Sequence, residues 1–301
     1  MVYSYYCLQI SNFVWSYHNP VAFGMSFGSM DRQSKKVMKH QHNLLLALLL
    51  VLTSAYTNEG MEHQELRSNS NEAFTHGEQL KYRVHYGWIN AATVSIKVAD
   101  KPILVKGRET YKISAYGRTY RTFDWAFKVR DHFVSFIDKK SIAPLKYYKD
   151  VQEDNYRDKD LVFYDHEKKY MTGQQKSMDM PAYVQDVVSG MFYARTIDYA
   201  NAPVGTSFPI DIYLDQEIYN LQFKYLGKET IKSDLGKIVC YKLRPQLVVD
   251  RVFKDEDDMT IWISADANKI PVRVEASIYV GSVKVDITKA TGLKNTFSSK
   301  L

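Results

Sequence analysis

Gln79-Leu80-Lys81-Tyr82-Arg83-Val84-His85-Tyr86 sets an apolar or aromatic side chain at every even position and a polar or charged one at every odd position. A strand sends successive side chains to opposite faces, so this alternation specifies a strand with one face on a core and the other in water. The same period recurs outward from it. Val94, Ile96 and Val98 follow a Gly87-Trp-Ile-Asn90 turn, and Tyr111, Ile113 and Ala115 come next, with Trp125, Phe127 and Val129 continuing the register. Further on stand Ile210, Ile212 and Leu214; Tyr219, Leu221, Phe223 and Tyr225; Val239, Tyr241 and Leu243; Val272, Val274, Ala276 and Ile278; and Val283, Val285 and Ile287. Lys106-Gly107-Arg108, Gly227-Lys228, Leu235-Gly236-Lys237 and Gly281-Ser282 mark hairpins between them.

Pro181 to Arg195 alone has helical spacing, with Val184, Val187, Val188, Met191 and Phe192 at i, i+3, i+4, i+7 and i+8. Strands that follow one another without crossover helices form an antiparallel meander, and a twisted sheet of many strands curls. The expected fold is all-β with minor α. It is an antiparallel meandering sheet curled into an open barrel or clam, with one helix around residues 183–197 that plugs or crosses it.

Leu44-Leu-Leu-Ala-Leu-Leu-Leu-Val-Leu52 is the only long aliphatic run. It is shorter than the roughly 20 residues a spanning helix needs and suits the h-region of a secretory signal. Lys35, Lys36 and Lys39 precede it and Thr53-Ser54-Ala55 follows. We expect a signal peptide over residues 38–55, cut after Ala55. Residues 1–37 are then a mis-assigned upstream extension, with the true start at Met38 or Met30. Residues 56–73 are expected as a flexible tether, 74–290 as a single β-rich domain, and 291–301 as a polar tail. The mature protein has no transmembrane span in this reading, and it is exported, soluble, and periplasmic or otherwise envelope-associated.

Removing Arg32, Lys35, Lys36, Lys39 and Asp31 from the 40 basic and 34 acidic residues leaves 36 and 33, so half of the net charge of +6 resides in the leader. Such an even balance is no footprint for nucleic acid. Cys7 lies upstream of the cut, so Cys240 remains alone and forms no internal disulfide. Its run Ile238-Val-Cys-Tyr-Lys-Leu243 reads as a strand carrying a buried, inert thiol.

No Gly-x-Ser-x-Gly elbow, His-Glu-x-x-His, phosphate loop or Cys-x-x-Cys occurs in the sequence. Asp131-His132 and Asp165-His166 are candidate acid–base dipeptides, read as surface or turn residues because neighbours on a strand diverge. Asp131 continues the register of Phe127 and Val129 and is expected to point inward, with Arg195 from the helix as its partner. Asp255-Glu-Asp-Asp258 and the Asp154 to Asp160 stretch suggest calcium, but the first reads as a solvated hairpin tip and basic residues interrupt the second. No metal or cofactor is expected.

Tyr111, Tyr116, Tyr120, Phe123, Trp125 and Phe127 crowd together in a chain with 23 tyrosines. They suit strand packing, an acyl cavity or a sugar platform. The expected ligand-binding residues are Tyr82, Trp125, Phe127, Asp131 and Arg195, and the expected ligand is a lipid or glycan of the envelope. The function read from these features is non-catalytic binding or scaffolding. The alternative is a glycan-acting hydrolase pairing Asp131 with Glu78 or Asp266.

Phe74-x-x-Gly77-Glu78-x-Leu80-x-Tyr82-x-Val84-x-Tyr86-Gly87 resembles the opening motif of the exported bacterial proteins grouped as domain of unknown function 3108. Val129 to Asp138 with Pro144 is similar to that family's central strand pair, and Asp186-Val-Val-Ser189 with Tyr193-Ala-Arg195 to its helix. Gly227-Lys-Glu229, Leu235-Gly236 and Cys240 to Pro245 resemble its next hairpin. Ile261-Trp262-Ile-Ser-Ala-Asp266 and Ile270-Pro271-Val272 resemble its closing strands. The resemblance spans residues 74–290. It implies export and a β-rich fold, and no established activity or site.

Overall fold

The computed structural model describes residues 65–247, 259–277 and 281–301. The expected extension, signal peptide and cut site, and the Asp255–Asp258 tip, lie outside them. The described residues hold a fifteen-stranded antiparallel sheet. Its first half is β1 (Gln79–Tyr86), β2 (Ile89–Val98), β3 (Ile103–Val105), β4 (Arg108–Thr119), β5 (Arg130–Asp138), β6 (Pro144–Glu153), β7 (Tyr156–Asp165), β8 (Tyr170–Gly173) and β9 (Ser177–Asp179). After helix α1 (Val187–Ala194) come β10 (Ser207–Leu214), β11 (Glu217–Ser233), β12 (Gly236–Leu247), β13 (Met259–Ser264), β14 (Pro271–Ser277) and β15 (Ser282–Thr291).

The spatial order runs β10 to β15, then β1, β2 and β4 to β9, with β3 beside β4. The chain therefore starts mid-sheet, meanders out to β9, and passes through α1 to the opposite edge at β10. From there it meanders back until β15 pairs with β1, Tyr82 opposite Ile287 and Val84 opposite Val285. β9 and β10 do not pair, so the sheet is not closed by its ladder. Its two edges nevertheless meet. Gln185 donates its backbone N–H to Asp211 O at 2.8 Å and accepts from Tyr213 N at 2.7 Å. Gln216 at the β10–β11 turn donates to Gln175 Oε1 at 2.8 Å, and Lys176 donates to its carbonyl at 2.9 Å. The curled sheet expected from the sequence follows from these contacts.

The helix is shorter than its apolar period predicts. Residues 181–186 are not helical, because Gln185 spends its backbone groups on the β10 edge. Asp186 then caps α1, accepting from Val188 N and Ser189 N while Ser189 Oγ accepts from Asp186 N. Trp125 and Phe127 are likewise not in a strand. A 3-10 turn over Arg121–Phe123 continues into bonds from Ala126 N and Phe127 N to Phe123 O. Asp124 fixes that turn by accepting from Thr119 Oγ1 at 2.7 Å and from Arg130 at 2.6 Å.

Both flanks are docked where described. Leu66 and Ala73 are buried within the segment expected as a tether, and Asn69 N donates to Lys140 O at 2.8 Å. At the other terminus, Val239 N donates to Ser299 O at 2.9 Å and Leu301 N to Lys237 O at 2.8 Å. The long β11 bends at a register shift between Tyr225 and Lys228, where Gly227 adopts φ +101°. Past the bend the β11–β12 hairpin reaches the outer faces of β1 and β14, where Asp234 meets Arg83 at 2.9 Å and Lys232 O accepts from Arg273 at 3.3 Å.

Candidate functional site

The inward face of the sheet changes character along its strands. On β1, Leu80 is 1% exposed and Tyr82 5%, Val84 is half-buried and Tyr86 reaches 39%. Val98 and Ile96 give way to Val94 and Ala92 on β2, Ile287 to Val285 and Val283 on β15, and Val272 to Val274 and Ala276 on β14 in the same sense. One end of the sheet is therefore packed, and at the other end the inner face is only partly covered.

Arg195 holds the packed end. Its guanidinium is wholly buried and donates two bonds to Glu78, at 2.6 and 2.8 Å, one to Ala73 O at 3.2 Å and one to Asn268 O at 3.0 Å. The rings of Phe74 and Phe192 lie 5.3 and 4.9 Å from it. Asn268 carries the network on to the C-terminal segment, donating to Asn295 O and Thr296 O and accepting from Asn295 N. Arg195 thus meets Glu78, and the expected pairing with Asp131 is replaced. The reason is topological: the Phe74 to Glu78 segment enters under α1, whereas Asp131 begins β5 at the far end of the sheet. A guanidinium and a carboxylate buried together with every nitrogen and oxygen hydrogen-bonded form a structural clamp.

Tyr82 belongs to this packed end. Burial raises the pKa of its phenol, which donates to Pro271 O at 3.1 Å. Asp266 is also structural. It accepts from Ser264 Oγ, Asn268 N and Ser299 Oγ around the β13–β14 turn. Glu78 and Asp266 are thus engaged, and neither serves as the free second carboxylate that the hydrolase reading assigned to them. Cys240 is buried and its thiol is pushed up to about 12 by burial, as expected of an inert group.

His166 departs from its surface reading. It is buried, its ring stacks parallel to those of Tyr164 and Tyr183, Nε2 bonds Pro144 O at 2.7 Å, and Nδ1 accepts from Tyr183 N at 3.1 Å. These bonds fix the neutral tautomer with the proton on Nε2, and burial pushes the imidazole down to about 4. Nearby, Asp186 is pushed up to about 6 by burial even though Ser135 Oγ donates to it at 2.6 Å.

The open end gathers the other three expected residues. Trp125 is 85% exposed in its turn, Phe127 is partly exposed at that turn's end, and Asp131 is half-buried at the start of β5. Asp131 opposes Gly117 on β4 and, like Phe133 and Ser135, faces inward. It accepts from Gln152 N at 3.0 Å, and burial together with the charge of Asp150 raises its pKa. Glu153, which pairs opposite Val129, stands diagonally from Asp131 on the same face, roughly 7–8 Å away by sheet geometry. Burial and the charge of Asp131 raise its pKa too. Beside them burial opposes the charge of Lys149, but ion pairs with Asp158 at 2.6 Å and Asp215 at 3.3 Å outweigh it and raise its pKa. Tyr213 donates to Asp160 at 3.2 Å across the meeting edges. The inner face is thus apolar on β1, β2, β14 and β15 and carboxylate-rich on β5 to β7.

Glu153 and Lys149 were not singled out from the sequence, and Asp160 entered only as the end of the stretch weighed for calcium. Their strands carry charged residues inward as well as outward, so no alternation marks them. Among the described residues no group of three or more His, Cys, Asp or Glu side chains is placed to hold a metal ion. No helix among them is long and apolar enough to cross a membrane.

The family model described as Protein of unknown function (DUF3108) matches residues 81–288. The chain belongs to this family. No curated protein matches this DUF3108 chain. Among solved structures it is similar to a β-barrel-like protein of domain of unknown function DUF1849 from Brucella abortus. That likeness has 9% identity and a TM-score of 0.47, and covers 75% of this chain and 98% of that one. It is also similar to a candidate lipoprotein from Parabacteroides distasonis, at 10% identity and TM-score 0.33, covering 76% and 100% of the two chains. A candidate exported protein with a YmcC-like fold from Bacteroides fragilis gives 9% identity, TM-score 0.35 and coverage of 73% and 97%.

Proposed function

We propose that this DUF3108 protein is an exported, periplasmic or envelope-associated protein that binds or scaffolds an apolar or amphipathic envelope component, a lipid or a glycan, without catalysing a reaction. The observation that carries this reading is the partly exposed inner face at one end of the sheet. Val84 and Val274 become partly exposed at one end, Val94 and Val285 are partly exposed there while still packed against the core, and the other end is sealed around Arg195. An apolar face bordered by a polar quadrant suits a ligand with an apolar body and a polar head. The buried ionisable groups of the packed end serve the fold, and Cys240 is no nucleophile.

The test is native mass spectrometry, with lipid and glycan extraction, of the protein purified from its own host's envelope. A stoichiometric lipid or glycan that is lost in Val84→Glu supports the reading. A bare protein that also takes up no lipid or glycan from the host's envelope extract overturns it.

A second reading rests on the diagonal carboxylates. Asp131 and Glu153, each with a raised pKa on one face, suit a glycan-acting hydrolase, whose carboxylates stand about 5 to 9.5 Å apart. Release of reducing ends from envelope glycan, abolished by Glu153→Gln, favours it. Unchanged release in that variant removes it.

A further inference from the structure

Two of the protein's tryptophans stand almost fully in water. Trp88, in the turn between β1 and β2, is 90% exposed and Trp125, in the turn between β4 and β5, is 85% exposed. Trp262 shows the contrast: it is buried and its indole N–H donates to Glu229 at 3.1 Å. The two exposed indoles belong to adjoining turns. β2 and β4 pair with Ala92 opposite Thr119, and the second turn is tied to β2 by Tyr120 N donating to Ala91 O at 3.0 Å. Both turns therefore project from the open end of the sheet, with Tyr120 between them in the same rim.

Within the second turn itself cations outnumber acids. From Tyr116 to Arg130 the sequence holds Arg118, Arg121, Lys128 and Arg130 against a single acid, Asp124. Asp124 is spent on Arg130 and Thr119. The side chains of Arg118, Arg121 and Lys128 form no ion pair or hydrogen bond among the described residues, and all three are exposed. Asp131, Glu153 and Asp154 adjoin the turn: Asp131 faces inward, Glu153 is buried, and Asp154 accepts from the Lys128 backbone.

Exposed indoles beside unpaired cations match the chemistry of an anionic bilayer surface. Indole places its ring at the level of the lipid headgroups, and each nearby cation adds attraction to anionic lipid. We propose that the Trp88–Trp125 rim docks the open end of the sheet onto an anionic membrane surface. This goes beyond the interior binding reading, and stands whether or not the inner face holds a ligand.

The test uses the protein as its host exports it, floated with phosphatidylcholine vesicles and with the same vesicles doped with phosphatidylglycerol. The wild-type protein floats with the doped vesicles, and its tryptophan emission shifts to the blue and is quenched by brominated lipid. Trp88→Ser/Trp125→Ser loses flotation and quenching. Arg118→Gln/Arg121→Gln/Lys128→Gln weakens partitioning on the order of a hundredfold, from about 1 kcal/mol per cation. Both variants keep the wild-type far-ultraviolet circular dichroism and urea midpoint, because the altered side chains are exposed. Equal flotation of the tryptophan variant and the wild type overturns the proposal. So does wild-type emission that responds to soluble glycan fragments while the protein stays unbound to either vesicle, since the rim is then a sugar platform. Loss of interior ligand with flotation intact removes the binding function and leaves the docking rim standing.

Discussion

The packed and open ends of the sheet are made by the same strands, a few residues apart, yet they treat charge in opposite ways. At the packed end Arg195 and Glu78 are buried with four donated bonds from the guanidinium, and Asn268 links that knot to the C-terminal segment. At the open end Asp131 is half-buried and Glu153 buried, each with a raised pKa, and Trp88 and Trp125 face water. The first arrangement stores charge where it holds segments together. The second leaves aromatic surface and the half-buried Asp131 where another molecule can reach them. Side-chain type alone does not separate the two, since both ends pair carboxylates with aromatics. What sets the Arg195–Glu78 pair apart is that every charged atom of the pair is hydrogen-bonded.

Removing one partner of the clamp tests this contrast most strongly. Arg195→Met leaves Glu78 buried and unpaired, so the variant should lose about 3–5 kcal/mol in urea unfolding. Arg195→Met/Glu78→Gln should recover part of that loss, because no unpaired charge is then buried. Equal stability of the wild type and Arg195→Met breaks the distinction between the ends.

Truncations along β1 come next. Leu80→Ala should cost about 2–5 kcal/mol, because Leu80 is packed all round. Val84→Ala, two pleats along on the same face, should cost less than about 1.5 kcal/mol, because its site is already half open. Similar losses at the two positions would place Val84 in the core and remove the partly exposed face.

His166 gives the comparison a pH axis. Burial disfavours its imidazolium, so between about pH 6.5 and about pH 4 the unfolded chain binds a proton that the folded chain refuses. Its contribution is complete above about pH 6.5 and is lost as pH falls toward 4. The destabilisation caused by His166→Gln should therefore shrink by about 2 to 3 kcal/mol across that window. Asp186, pushed up to about 6, has the opposite sign, since the folded chain keeps its proton longer as pH rises from about 4. The two slopes oppose each other in the wild type, and the steeper profile appears when either residue is replaced.

The smallest effect belongs to the open end. Glu153→Gln removes a carboxylate whose charge is disfavoured by burial and by Asp131, so urea stability at neutral pH should stay constant or rise by less than about 1 kcal/mol. A loss of several kcal/mol would make Glu153 a second clamp.

The strands with clean alternation, β1, β2, β11 and β15, were legible because one face is apolar and the other polar throughout. β6 and β7 were not, because Lys149, Asp158 and Asp160 face inward and erase the period. Trp125 and Phe127 kept the period by coincidence, and local bonds to Asp124 decided their turn instead. The helix was half legible: the spacing of Val187, Val188, Met191 and Phe192 is real, while residues 181–186 answer to the β10 edge, a partner far away in the sequence. The clamp had no local signature, since Glu78 and Arg195 stand 117 residues apart. Only the Gly77-Glu78 motif hinted at a fixed role for the acid.

The pairing of β15 with β1 also governs how the protein can be made. A chain appearing amino-terminus first lays down β1 to β9 with one flank of β1 bare, and its permanent neighbour is almost the last piece to arrive. Until then the nascent half presents an unpaired strand edge to every other chain in the vicinity. Completion is a ring of dependencies in which the final stretch zips onto the first. A ribosome that stalls short of β15 yields no smaller version of the fold, only a sheet interrupted at its middle.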